Sequence, residues 1–189
     1  MRPPYLRKWS STDGTPLAMR PIAEHDGSRI ASALRNLSPE TLRLRFLGPV
    51  NAIPDAFVRA LIEADPETQY GVIVVRQDSR DEVTIAGGRI VASDEVGAWE
   101  FALLVADAWQ GQGVGKQLLK SLIEEARRRK LKRLVGHVSV DNRPMLRLAR
   151  KHGFWITRDS QDTSTCVATL EIGSERSVKN SWFRRWFGR

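Results

Sequence analysis

Three glycines, Gly111, Gly113 and Gly115, stand where an apolar strand pattern ends and the clearest helical periodicity of the chain begins. A turn at such a junction exposes backbone N–H groups, and glycine permits positive φ and close approach of the main chain. The helix N-terminus adds about half a positive charge. The segment Trp109-Gln110-Gly111-Gln112-Gly113-Val114-Gly115-Lys116 is therefore suited to a phosphate or pyrophosphate. Spacing excludes two familiar phosphate loops. A Walker A loop requires Gly and then Ser or Thr where Gln110 and Gln117 stand, and the dinucleotide fingerprint requires other glycine intervals and a later acid.

Around this turn the pattern alternates between helix and strand signals, without internal repeat or low-complexity linker. Leu17 to Arg20 reads as a short strand, and Asp26 to Asn36 as a helix with Ile30, Ala33, Leu34 and Leu37 on one side. Ser38-Pro39-Glu40 then combines an N-cap, a first-turn proline and an acid near the positive end of the dipole, so a helix is predicted to about Phe46. Another covers Pro54 to Ala64. Tyr70 to Val75, Glu82 to Ala92 and Gly97 to Val105 read as strands of an antiparallel meander. From Val114, residues Leu118, Leu119, Leu122, Ile123 and Ala126 share one helical face. Leu134 to Val140 reads as a strand, Arg143 to His152 as a helix closed by Gly153, Phe154 to Thr157 as a short extended segment, and Val167 to Ile172 as a last strand.

At 189 residues, with 41% hydrophobic and 28% charged, the chain has the proportions of one soluble domain. No apolar run approaches the roughly 18 residues of a membrane span, and Met1-Arg2-Pro3-Pro4 is unlike a signal peptide, so a cytoplasmic protein is expected. Cys166 is the single cysteine, which excludes an internal disulfide, and His25, His137 and His152 do not have zinc-ligand spacing, so no metal is expected. The net charge of +8 is unevenly spread. Residues 1–12 carry three bases and no acid, and residues 174–189 carry five bases against Glu175. Residues 13–112 hold 9 bases and 15 acids, residues 113–173 hold 13 bases and 6 acids. Such a local basic field suits nucleic acid or a small polyanion alike.

The motifs favour the polyanion. Gln110, Gly113 and Gly115 match the Q/R-x-x-G-x-G/A turn of the GNAT superfamily of acyl-CoA-dependent N-acetyltransferases, which the chain resembles over residues 13–173. Asn142, Met145, Leu148, Gly153 and Phe154 stand at the offsets that family shows downstream. Ser38 to Phe46, Trp99-Glu100-Phe101-Ala102 and Asn142-Arg143-Pro144-Met145-Leu146 look more narrowly like bacterial protein lysine acetyltransferases of the Pat type. The resemblance implies an α/β (α+β) GNAT fold: a central mixed, mostly antiparallel sheet flanked by helices, with splayed strands that bind acetyl-CoA. It implies that the phosphates lie on Gln110, Gly111, Gln112, Gly113, Val114, Gly115 and Lys116, that the pantetheine arm runs along the main chain of Leu103, Leu104 and Val105, and that Asn142 and Arg143 border the cofactor. For Asn142, a helix N-cap stands equally open. The basic stretch 116–151, with 12 bases against 3 acids, agrees with a polyanionic coenzyme, although any one cation reads equally as a solvated helix face.

A lysine of pKa about 10.4 is almost wholly protonated at neutral pH, so direct attack on the thioester needs a base or a water chain to one. The resemblance assigns that role to Glu100. Set in an otherwise apolar strand, Glu100 is expected to be desolvated, which would raise its pKa toward the useful range, while an alternating solvent-facing position is the alternative. A backbone N–H near Leu104 or Val105 would stabilise the oxyanion. Many GNAT enzymes carry a tyrosine acid seven residues after the Asn, where this chain has Ala149. Cys166 reads as a buried small residue. Residues 37–64 would shape the acceptor side, where Asp55, Glu63, Asp65 and Glu67 would suit a cationic lysine or merely solubilise helices.

The expected acceptor is an exposed protein lysine, with a small amine or a non-catalytic acyl-CoA-binding module as alternatives. Residues 1–12 read as a basic extension and residues 174–189 as a basic aromatic amphipathic tail. In that tail Val178, Trp182, Phe183, Trp186 and Phe187 share one helical face and Lys179, Arg184, Arg185 and Arg189 fill much of the rest. It suits a membrane surface or a partner subunit, and with it peripheral membrane association, rather than nucleic acid.

Overall fold

The computed structural model describes residues 4–78, 81–95 and 97–173. Its sheet of eight strands runs β1 (Arg7–Ser10), β2 (Pro16–Pro21), β3 (Gln69–Asp78), β4 (Asp81–Ala92), β5 (Ala98–Val105), β6 (Arg133–Ser139), β8 (Thr165–Glu171) and β7 (Trp155–Arg158) in spatial order. Every neighbouring pair is antiparallel except β5 and β6. The helices are α1 (Gly27–Arg35), α2 (Pro39–Phe46), α3 (Asp55–Ile62), α4 (Val114–Arg128) and α5 (Arg143–Lys151). This is the GNAT arrangement expected from the sequence. The strand β1 was not anticipated, Gly97 lies just before β5, and β8 begins two residues earlier than its apolar pattern suggested.

The sheet separates two apolar cores. One gathers Met19, Val72, Val74, Ile90 and Phe101 of the sheet with Leu118, Leu119 and Leu122 of α4 and Leu146 and Ala149 of α5. The other packs Ala18, Ile73 and Val75 against Ile30 and Leu34 of α1, Leu37, and Val58 of α3. The predicted apolar face of α4 is the buried one, its five residues being no more than 4% exposed. Burying a side chain of this size contributes about 1.5 to 3 kcal/mol.

Beneath α1 lies a charged cluster wholly removed from water. Arg20 on β2 reaches Asp26 and Glu82, each at 2.7 Å, and all three side chains have no exposure. Glu82 also accepts a hydrogen bond from the Tyr5 hydroxyl at 2.6 Å. Burial alone would raise the Asp26 carboxyl, but hydrogen bonds from Arg20 and the Ala23 N–H outweigh it and hold the group below the usual range. Such a cluster is stable only while every charge in it is paired.

Candidate active site

The cleft is made by one strand changing its neighbours. β5 pairs with β6 only through Ala98, Trp99 and Glu100, opposite Arg133, Leu134 and Val135. Its pairing with β4 continues to Val105, opposite Ala86, while β6 continues along β8 to Ser139. Beyond Glu100 the two strands therefore diverge. The β5 edge from Phe101 to Val105 faces a cavity of about 680 Å³. Ala106 N–H donates to Ile85 at 2.9 Å across β4, and donors alternate along an antiparallel strand. Leu103 and Val105 thus direct their N–H groups to the open edge, whereas Leu104 directs its own to β4.

The glycine turn closes the end of this edge. Gly111 and Gly113 have φ of +74° and +82°, the left-handed region that other residues enter only with strain. Gly113 is the N-cap of α4 and has no side chain to satisfy the first-turn N–H groups, which stay available to an anion. Gln110 fastens the turn: its Nε2 donates to the Val105 carbonyl at 3.1 Å and to Thr41 Oγ1 at 3.0 Å. Asp107 fastens α2 to the same loop, accepting from Ser38 N–H at 3.0 Å, Ser38 Oγ at 2.6 Å and Thr41 Oγ1 at 2.7 Å. Burial opposes its charge, but these hydrogen bonds prevail and hold its carboxyl below the usual range. Across the mouth, Arg43 of α2 reaches Asp141 before α5 at 3.4 Å.

Of the residues singled out in the sequence, Glu100, Leu103, Leu104, Val105, Gln110, Gly111, Gly113, Gly115, Lys116 and Asn142 line this cavity. Three do not. Gln112 turns its Nε2 to the Ala108 carbonyl at 2.8 Å, Val114 is 1% exposed in the core, and Arg143 is exposed outside the cavity. Asn142 is an N-cap in the structure, Oδ1 accepting from Met145 N–H at 3.1 Å, while still bordering the cavity. Several cations of the basic stretch are matched by the chain's own carboxylates rather than left for a ligand: Arg128 and Arg129 pair with Glu125, Arg133 with Glu95 and Lys120 with Glu124.

The expected desolvation of Glu100 is overturned. Glu100 is exposed, because the divergence that frees the β5 edge also admits water beside it. Asp55, Glu63, Asp65 and Glu67 are exposed too and line neither this cavity nor its neighbour. The cavity is lined instead by Leu44, Arg45 and Phe46 of α2, Arg89 of β4 and His137 of β6. Sequence reasoning missed Arg45, Arg89 and His137, each of which reads as an ordinary surface residue of its element. Ala149 is fully buried and Cys166 is 8% exposed. The C-terminal tail, residues 174–189, lies outside the described residues. Among the described residues no helix is long and apolar enough to cross a membrane, and no His/Cys/Asp/Glu group is placed to hold a metal ion.

This architecture defines a cleft for an elongated anionic ligand, with an open strand edge leading to the free N-terminus of α4. Residues 15–154 match the model of the acetyltransferase (GNAT) family. The chain belongs to that family. It is 29% identical over 163 residues to acetyltransferase PA5475 of Pseudomonas aeruginosa, covering 86% of this chain and 88% of that protein. The fold is shared with the GNAT domain of S. lividans PAT, with a TM-score of 0.76, 24% identity, and coverage of 87% of this chain and 96% of that one. It is shared also with yncA, a putative acetyltransferase from Salmonella typhimurium solved with its cofactor acetyl-CoA, at a TM-score of 0.66, 19% identity, and coverage of 85% and 96%. The protein is an acetyltransferase, and acetyl-CoA is its co-substrate. A module without catalysis is thereby set aside.

Proposed function

We propose that the protein transfers acetyl to a primary amine, foremost the side chain of a protein lysine, with Glu100 as the general base. The observation that carries this reading is the position of Glu100. It is the last β5 residue paired to β6, so its carboxylate stands at the apex of the cleft, beside the open edge of Leu103 and Val105. The resemblance of Ser38 to Phe46, Trp99 to Ala102 and Asn142 to Leu146 to the Pat-type protein lysine acetyltransferases is what favours a protein acceptor.

The residues fit the coenzyme. Left-handed Gly111 and Gly113, the unsatisfied first turn of α4 and Lys116 suit its phosphates, and the β5 edge suits its amide-bearing arm. Acetyl-CoA, when bound, would supply an acetyl thioester, so that the amine nitrogen gains a C–N bond as the C–S bond breaks and the sulfur leaves as thiolate, to be protonated by solvent. Glu100 takes a proton from the ammonium, and its exposure suits transfer through a water. The Val105 N–H, on the open edge, is the donor placed to bear on developing oxygen charge, rather than Leu104. With Ala149 in the family's tyrosine position, no side chain there returns a proton to sulfur, and a thiol of pKa about 8.5 leaves tolerably as thiolate. Because β1 (Arg7–Ser10) is an edge strand of the sheet, the proposed domain begins at Arg7 rather than at residue 13 and runs to 173, and a role of the tail at a membrane surface or a partner subunit belongs to the same proposal.

The test is incubation of the purified protein with radiolabelled acetyl-CoA and a lysate cleared of small molecules, beside Glu100→Gln with acetyl-CoA affinity measured on both. Lysine label that falls about 100-fold or more in the variant supports the reading. Absence of protein label above the chemical background, with acetyl-CoA bound normally, rejects a protein acceptor.

A further inference from the structure

One wall of the cleft holds two half-buried cations, of which only Arg89 feels a described carboxylate, that of Glu100. Arg45 near the end of α2 and Arg89 on β4 both line the large cavity and an adjoining apolar slot of about 80 Å³ between the sheet and α1–α3. Neither guanidinium forms a hydrogen bond or ion pair with another described residue. Each lies instead over an aromatic ring, Arg45 over Phe46 at 5.2 Å and Arg89 over Phe57 at 5.6 Å. Burial, and then the like charge of Arg89, pushes Arg45 down to about 10; burial also lowers Arg89, with Glu100 acting in the opposite sense. Elsewhere, the arginines drawn from water have carboxylates: Arg20 has Asp26 and Glu82, and Arg129 has Glu125.

Two half-buried guanidiniums that repel each other are stabilised by an anion that enters between them, and the planar fork of arginine matches a carboxylate. The coenzyme's phosphates do not meet this need. They belong to the glycine turn, whereas Arg89 pairs with Ala102, about 10 Å back along β5 from Val105. We propose that Arg45 and Arg89 form an oxyanion subsite for the acceptor, so that the amine acetylated beside Glu100 carries a carboxylate close to it. The inference rests on the cleft acting as an amine acetyltransferase, not on the amine being a protein lysine. The carboxylate has two sources, a free amino acid or an acidic residue next to a target lysine. The adjoining slot, lined by Leu34, Phe57, Leu61 and Ile73, suits an apolar group on the same acceptor.

Matched acceptors test it, at saturating acetyl-CoA: leucine against its decarboxylated analogue, and a lysine peptide with a neighbouring Glu against the same peptide with Gln. The carboxylated member of at least one pair is expected to have a kcat/KM about tenfold higher or more, equivalent to about 1.4 kcal/mol. Arg45→Gln and Arg89→Gln should bring that ratio toward one, mainly through KM. The leucine pair reports a free amino acid and the peptide pair a protein segment. Equal rates within both pairs, or a preference that survives both substitutions, overturn the subsite. Where no acceptor turns over, butyrate is titrated into the CoA-loaded protein while the arginine Nε–Hε resonances are followed. Saturable shifts that vanish in Arg45→Gln and Arg89→Gln support the subsite, and their absence overturns it. Acetyl-CoA affinity measured on each protein keeps the two ideas apart, since a chain that binds no coenzyme contradicts the reading of the cleft itself.

Discussion

The ring of Phe101 fills the space that a side chain at Gly136 would occupy. A Cβ placed on Gly136 would lie 2.4 Å from the ring, far inside contact distance. Phe101 is 6% exposed and rests on Phe154 at a centroid distance of 5.0 Å, so it has nowhere to retreat. Gly136→Ala should cost about 1 to 3 kcal/mol by overpacking. Because the ring lies where β5 and β6 part, acetyl-CoA affinity should fall as well. Thermal unfolding and coenzyme titration on the same sample read both effects, and unchanged values on both counts would show that the ring can move aside.

Gly113 and Gly115 should respond differently to alanine. At Gly113 the φ of +82° leaves ample room but a strained backbone, which costs roughly 1 to 2 kcal/mol and tilts the turn away from the coenzyme. At Gly115 the backbone is helical and the new methyl would meet Leu148 and Val105 at the ordinary distances of 3.6 and 3.8 Å. Stability there should hold or rise by up to about 1 kcal/mol. Urea unfolding separates the two variants.

Arg20→Met should destabilise the protein by about 3 to 5 kcal/mol at neutral pH, because Asp26 and Glu82 would lose the buried cation between them, leaving Asp26 only Arg29 at 3.5 Å. The difference shrinks as pH falls. In the native cluster the depressed Asp26 carboxyl contributes stability above its unfolded value of about 3.9, lost as pH falls through the folded value. In the variant the stranded carboxyls bind protons more readily than in the unfolded chain, so acid relieves them. Unfolding free energies of the two proteins should therefore converge below about pH 4.

Asp107→Ala should loosen α2 from the loop ahead of the glycine turn, at about 1 kcal/mol in stability. The carboxyl of Asp107 is also depressed, so its share is present above an unfolded pKa of about 3.9 and disappears as pH falls through the lower folded value. The variant should show a shallower loss of stability across that acid window, measured by denaturant titration between pH 5 and pH 2.

Helix α4 was legible in the sequence because its apolar spacing is the spacing of its buried face, and the glycine turn because glycine takes without strain the positive φ found at Gly111 and Gly113. Asn142 was ambiguous for a physical reason: one amide both caps α5 and borders the cleft. The exposure of Glu100 was not legible, since the apolar residues around it reveal the strand but not where β6 leaves its side. Nor was the pairing of Arg45 with Arg89. One belongs to a helix and the other to a strand, and only the packing of α2 against β5, the neighbour of β4, brings both charges to one cavity. The strand β1 escaped notice because at the sheet edge its residues alternate between half-buried and exposed, without the full burial that marks an inner strand.

The parallel join at Ala98 to Glu100 is the only place where the β1–β5 half of the described sheet is stitched to the β6–β8 half. A wedge pinned at so short a seam has its aperture set at the pin. Ala98 and Leu134, 2% and 0% exposed and not part of the cavity lining, thus act as the hinge stop of the cleft, and a volume change there is magnified along the diverging strands. Selection on donor length or acceptor bulk can therefore operate on residues that no substrate ever touches.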